Sequence, residues 1–119
     1  MAYVASFSTG DPDAIASHVA DDFWNEHTSA LGSSGHGRDE YRRRLPGFLA
    51  EFGGLRYDVE DVVAEGDRVV VAYTLRATWT GTHDIAIRGV FRLRVEGGLV
   101  AHRADYWDSS EFLRQTGQA

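Results

Sequence analysis

The chain has 119 residues, 43% of them hydrophobic and 25% charged, which fits a single domain over residues 1–119 and argues against disorder throughout. It has no cysteine, and all 12 basic residues are arginine, which excludes disulfides, thiolate catalysis, cysteine-bound metal centres and lysine Schiff bases. The formal net charge of -6 has the wrong sign for a general nucleic-acid binder.

No apolar run approaches the ~20 residues of a membrane span. Met1 to Gly10 lacks the positive region and long apolar stretch of a secretory signal, so a cytoplasmic location is expected, with neither membrane nor nucleic acid as partner. The histidines at 18, 27, 36, 83 and 102 form no recognised metal spacing, and no metal is expected.

Met1 to Ser8 reads as one or two turns of helix, cut short. Asp11-Pro12-Asp13 is a helix start, with Asp11 as cap and Pro12 where a missing N–H costs nothing. Ile15, Val19 and Phe23 recur every four residues and read as the apolar stripe of that helix. Leu31 to Gly37 is a glycine- and serine-rich loop. From Arg38 a second helix sets Tyr41, Leu45, Phe48, Leu49 and Phe52 on one face, with the Arg42-Arg43-Arg44 run on a solvated face. Pro46 inside it predicts a kink or two short helices.

The period then changes. Leu55 to Glu65, Arg68 to Thr80, His83 to Glu96 and Leu99 to Asp108 are rich in strand formers. Gly66-Asp67, Gly81-Thr82 and Gly97-Gly98 separate them, which predicts an antiparallel four-stranded meander. Arg68 to Thr80 is long for a strand and should bend or carry a bulge. Phe91, Leu93 and Val95 alternate with Arg92, Arg94 and Glu96, giving one buried and one wetter face. Asp108-Ser109-Ser110-Glu111 resembles a capping box before a short terminal helix. The fold class that follows is α+β, with helices on one face of a curved sheet and a hollow between them.

Several segments, in order, resemble one family. They are Gly10-Asp11-Pro12-Asp13-Ala14, Asp21 to His27, Val62 to Val71, Thr78-Trp79-Thr80-Gly81, Gly89 to Leu93, Asp105-Tyr106-Trp107-Asp108 and Phe112 to Gly117. The sequence resembles the SnoaL-like polyketide cyclases of the nuclear transport factor two-like superfamily, which also holds ketosteroid isomerases and limonene epoxide hydrolases. The resemblance covers nearly the whole chain. It implies a cone-shaped sheet wrapped on helices, a deep apolar pocket, chemistry without a cofactor, and a homodimer through the sheet. Two departures stand out. The epoxide hydrolases carry an Arg and an Asp two residues apart on a middle strand, whereas this chain has Arg76-Ala77-Thr78 and lacks that second acid. Many cyclases also have an insertion after the position of Thr80-Gly81, whereas Thr82-His83-Asp84 leads directly into the next strand.

Asp105 is the first candidate for chemistry. Flanked by Ala104, Tyr106 and Trp107, it becomes a usable base if it points into the hollow and is desolvated. The bland alternative is an ion pair with Arg103 or Arg76. Asp108 is the rival acid, with an obvious role as helix cap; three residues from Asp105, it should face the other side of a regular strand. Asn25 and His27 share a face and could hold a developing enolate oxygen. The family pattern suggests Arg76 as partner of Asp105. Trp24, Trp79, Phe91 and Trp107 are pocket-wall or core aromatics. His102 reads as exposed or at a subunit contact.

The leading expectation is an acid–base enzyme for an apolar ketone-bearing small molecule, with Asp105 as base and aldol cyclisation or isomerisation as the reaction. The alternatives are epoxide opening by Asp105 and Arg76, and a ligand-binding or scaffold module without turnover.

Overall fold

The computed structural model describes residues 1–118. The chain opens with α1 (Ala2–Ser6), a 3₁₀ turn (Phe7–Thr9) and α2 (Pro12–Ala16). β1 (Val19–His27), β2 (Gly35–His36) and α3 (Arg38–Glu51) follow. Then come β3 (Phe52–Glu65), β4 (Arg68–Trp79), β5 (His83–Glu96), β6 (Leu99–Trp107) and α4 (Ser109–Gln115). Asp11 caps α2 by accepting from the Asp13 N–H at 2.9 Å, and Asp108 caps α4 through the Ser110 and Glu111 N–H groups.

The sheet has six strands in the order β2-β1-β6-β5-β4-β3, two more than the meander alone. The extra pair corrects the helical reading of Val19 and Phe23, which lie on β1. A four-residue recurrence also fits a strand, because positions an even number apart share a face. Val19, Phe23 and Asn25 accordingly point into the core from β1, which runs parallel to β6. β3 to β6 form the expected antiparallel meander. Its register shifts lie on β3, between Gly53 and Arg56 and between Val59 and Asp61, and in the β5–β6 pair between Arg94 and Val95, while β4 stays regular against β5. Pro46 neither splits α3 nor ends it; it sits on the exposed side, where the lost backbone hydrogen bond can be replaced by water.

The helices cover the inner face. Tyr3, Phe7 and Ile15 meet Phe23, Val71, Phe91 and Leu93 in a continuous core, flanked by Tyr41 and Leu45 of α3. The outer face carries ion pairs and the half-exposed register partners Val63 and Val70, whereas Val59 and Val62, paired with Tyr73 and Val71, lie on the other face. Among the described residues no helix is long and apolar enough to cross a membrane.

Candidate active site

Strand register assembles the site. β1 and β6 place Asn25 beside Arg103 and His27 beside Asp105. All four side chains reach the hollow between sheet and helices, which has a volume of about 430 Å³. Tyr41, Tyr57 and Tyr73 complete its polar end, and Phe48, Phe52, Leu75, Ile87, Trp107 and Phe112 line the rest.

Asp105 is buried at 4% exposure. Its Oδ1 accepts a hydrogen bond from the Tyr73 hydroxyl at 2.5 Å. Its Oδ2 lies 3.6 Å from His27 Nδ1. Burial pushes the Asp105 carboxyl above the ordinary carboxylate range, although Arg103 and the Tyr73 hydroxyl pull the other way. Burial and the Asp105 charge raise Tyr73 in turn, so it stays protonated and donates.

Arg103 lies equally deep. Its Nε donates to Asn25 Oδ1 at 3.0 Å and its Nη1 to the Tyr3 hydroxyl at 2.8 Å. Tyr3 is hydrogen-bonded to Tyr41 at 2.7 Å. The guanidinium carbon stands 5.1 Å from the centre of the Phe91 ring and 5.8 Å from that of Tyr41, within cation–π range. Arg103 forms no direct ion pair with Asp105; the His27 ring lies between them, with Nε2 3.3 Å from Arg103 Nη2. Burial, Arg103 and Arg44 lower the His27 pKa to about 4, so the ring is neutral at pH 7.

The remaining expected residues fall elsewhere. Arg76 is not a partner of Asp105: it faces outward from β4, pairs with Asp58 at 2.7 Å and has a side chain 46% exposed. Trp24 also faces outward, stacked on His36 with ring centres 4.0 Å apart. Trp79 donates to Glu51 at 3.0 Å and stands behind Phe112, outside the cavity lining. Phe91 is wholly buried beneath Tyr73 and belongs to the core. Asp108 serves as the α4 cap and does not line the cavity. His102 is neither free nor fully exposed; it bonds Glu26 at 2.9 Å. Trp107, Asn25, His27 and Asp105 do line the hollow.

Sequence reasoning weighed Arg103 only as an ion-pair partner of Asp105 and missed the tyrosines. A signal existed for both. Arg103 shares a strand face with Asp105, and Tyr73 has the same parity as Val71 and Leu75. Among the described residues no three His, Asp or Glu side chains cluster as metal ligands.

The family model for the SnoaL-like domain matches residues 1–103. The chain belongs to the SnoaL-like family. Solved structures share the SnoaL-like fold at low identity. A hypothetical protein with a ketosteroid isomerase-like fold from Catenulispora acidiphila, in complex with trimethylamine, is 21% identical; the alignment covers 99% of this chain and 91% of that one, with a TM-score of 0.90. A candidate polyketide cyclase from Pseudomonas putida is 16% identical over 96% of this chain and 92% of its own, with a TM-score of 0.77. An LEH-like epoxide hydrolase from M. tuberculosis is 18% identical over 96% and 83%, with a TM-score of 0.82. No curated protein matches the chain. These likenesses concern the fold, which hosts many chemistries.

Proposed function

We propose that this chain is an acid–base enzyme that abstracts a proton next to a carbonyl in an apolar small molecule and guides the enolate to ring closure or double-bond migration. One observation carries the reading: a buried carboxyl of raised pKa, Asp105, opens onto an aromatic-walled cavity with one oxygen held by Tyr73.

The Asp105 carboxylate takes the α-proton, and the C–H electron pair becomes the enolate. In ring closure the enolate carbon attacks a second carbonyl of the same molecule, and Asp105 returns its proton to the new alkoxide. In isomerisation Asp105 returns it to the γ-carbon. Two cavity groups suit the developing oxyanion. Asn25 spends its Oδ1 on Arg103 and keeps its amide N–H₂, and Tyr57 has a hydroxyl outside the hydrogen-bond chain described above. Transfer of charge from Asp105 to an enolate leaves the buried site with one cation, Arg103, and one anion, so the total charge is unchanged. That limits the electrostatic reorganisation in the step.

The test is turnover of two probe classes, β,γ-unsaturated ketones and diketones able to close a ring, followed by absorbance and mass. Wild type should convert a member of either class, and Asp105→Asn should lower the rate by ~10²-fold or more. Undiminished turnover in the variant contradicts the reading. Saturable binding without turnover of either class favours the binding-module alternative.

A further inference from the structure

His27 Nδ1 is the one buried side-chain polar atom without a hydrogen-bond partner among the described residues. Such an atom calls for an explanation, and its neighbours supply one. A guanidinium has only donors. Arg103 Nη2, 3.3 Å from His27 Nε2, therefore requires a lone pair on Nε2. A neutral imidazole has a single N–H, which must then sit on Nδ1, facing Asp105 Oδ2 at 3.6 Å.

We infer that Arg103 is a positioning residue that fixes His27 as its Nδ1–H tautomer, making His27 a donor aimed at Asp105 and not a carrier of protons. Arg103 is itself held on several sides, by Asn25 Oδ1, the Tyr3 hydroxyl and the Phe91 ring. The groups facing His27 are Arg103 and Asp105 from β6, Arg44 from α3, and Gly32 of the loop, on which its Cβ packs. Neither cation can accept a hydrogen bond from a second imidazole N–H, and both repel an imidazolium.

A consequence for chemistry rests on the proposed role of Asp105. A proton taken by Asp105 finds Nδ1 already protonated and Nε2 capped. It has no outlet through His27 and returns to the bound molecule.

The experiment needs no substrate. In ¹⁵N-labelled wild type, long-range ¹H–¹⁵N correlation between pH 6 and 8 should show His27 Nδ1 protonated and Nε2 as the lone-pair nitrogen throughout. An Nε2–H ring, or titration in the ordinary histidine range near 6.5, overturns the inference. In Arg103→Gln the Nδ1–H preference should be lost and the His27 titration should move up toward that range. A folded Arg103→Gln protein with the tautomer and titration unchanged also overturns it. Arg103→Lys, which keeps a donor-only cation, should keep the Nδ1–H ring and the low His27 titration; an Nε2–H ring beside the lysine counts against the inference. If neither variant folds, the wild-type spectrum decides alone. Failure of the catalytic reading would show instead as absent turnover with the Nδ1–H ring intact.

Discussion

The Tyr73 hydroxyl occupies the space that a side chain at position 89 would fill. Tyr73 and Gly89 are register partners on β4 and β5. A Cβ on Gly89 would overlap the Tyr73 hydroxyl and come within 2.7 Å of the Tyr106 carbonyl oxygen. The missing side chain lets the phenol cross β5 and reach Asp105 on β6. A strand glycine of this kind marks a close approach.

Gly89→Ala should therefore act on the site as well as on packing. Backbone lies on one side of the new methyl, so Tyr73 must move off Asp105. We expect a loss of ~1–3 kcal/mol in stability, the usual range for overpacking, read from urea midpoints. The Tyr73-dependent part of the Asp105 titration should vanish with it.

Tyr73→Phe removes the same contact without added bulk. The hydroxyl donates to the charged carboxylate and so pulls its pKa down; its loss should raise the Asp105 pKa further. The carboxyl ¹³C titration of Asp105 should move to higher pH in the variant. If turnover depends on Asp105 as base, the rising limb of its pH profile should move the same way.

Asp105→Asn should separate stability from function. The folded-state pKa of Asp105 is raised, so its stabilising contribution is full below the ordinary value of 3.8 and is lost as pH rises through the folded value. Once pH has risen through the folded value, the wild type bears the cost of an ionised, buried carboxylate that the amide avoids. The variant should gain on wild type in melting temperature as pH rises from 4, while activity falls. About 4 °C corresponds to 1 kcal/mol in a domain of this size.

His27 has the opposite sign. Its folded pKa of about 4 lies below the ordinary 6.5. The unfolded chain takes up the proton first, so stability is full above 6.5, falls as pH drops, and levels off below about 4. Between pH 7 and pH 5 this amounts to about 2 kcal/mol. Comparison of His27→Gln with wild type at the two pH values should recover that difference, and equal pH dependence in both would contradict it.

Arg76→Ala should leave turnover unchanged. Its ion pair with Asp58 lies on the outer face, where solvent and salt screen it. A loss of activity in this variant would require a path from the outer face that the geometry does not provide.

The legible parts of this molecule were those with short-range signatures. Asp11 and Asp108 announce their helices because a capping side chain bonds within three residues. The turns at Gly66, Gly81 and Gly97 delimit the meander because their left-handed backbone suits glycine. Asp105 could be named from its place on the last strand. β1 was misread because Val19 and Phe23 fit both periods and its partner, β6, lies some 80 residues away. Arg76 and Arg103 are both strand arginines whose same-face neighbours, two residues away, are polar or small. What separates them is which face the helices cover, together with the Asn25 and Tyr3 acceptors that only the closed cone delivers. Tyr73 needed Gly89 on another strand before its reach could be seen.

The central claim is that Asp105 is a desolvated base, and its carboxyl titration tests that most directly. The measurement is ¹³C NMR of the side-chain carboxyls in wild type, with the Asp105 resonance assigned by its absence from Asp105→Asn. The account predicts a midpoint clearly above the ordinary 3.8. A midpoint at or below that value would mean a solvated carboxylate, or one whose charge Arg103 fully compensates, and would contradict the assignment of Asp105 as the base.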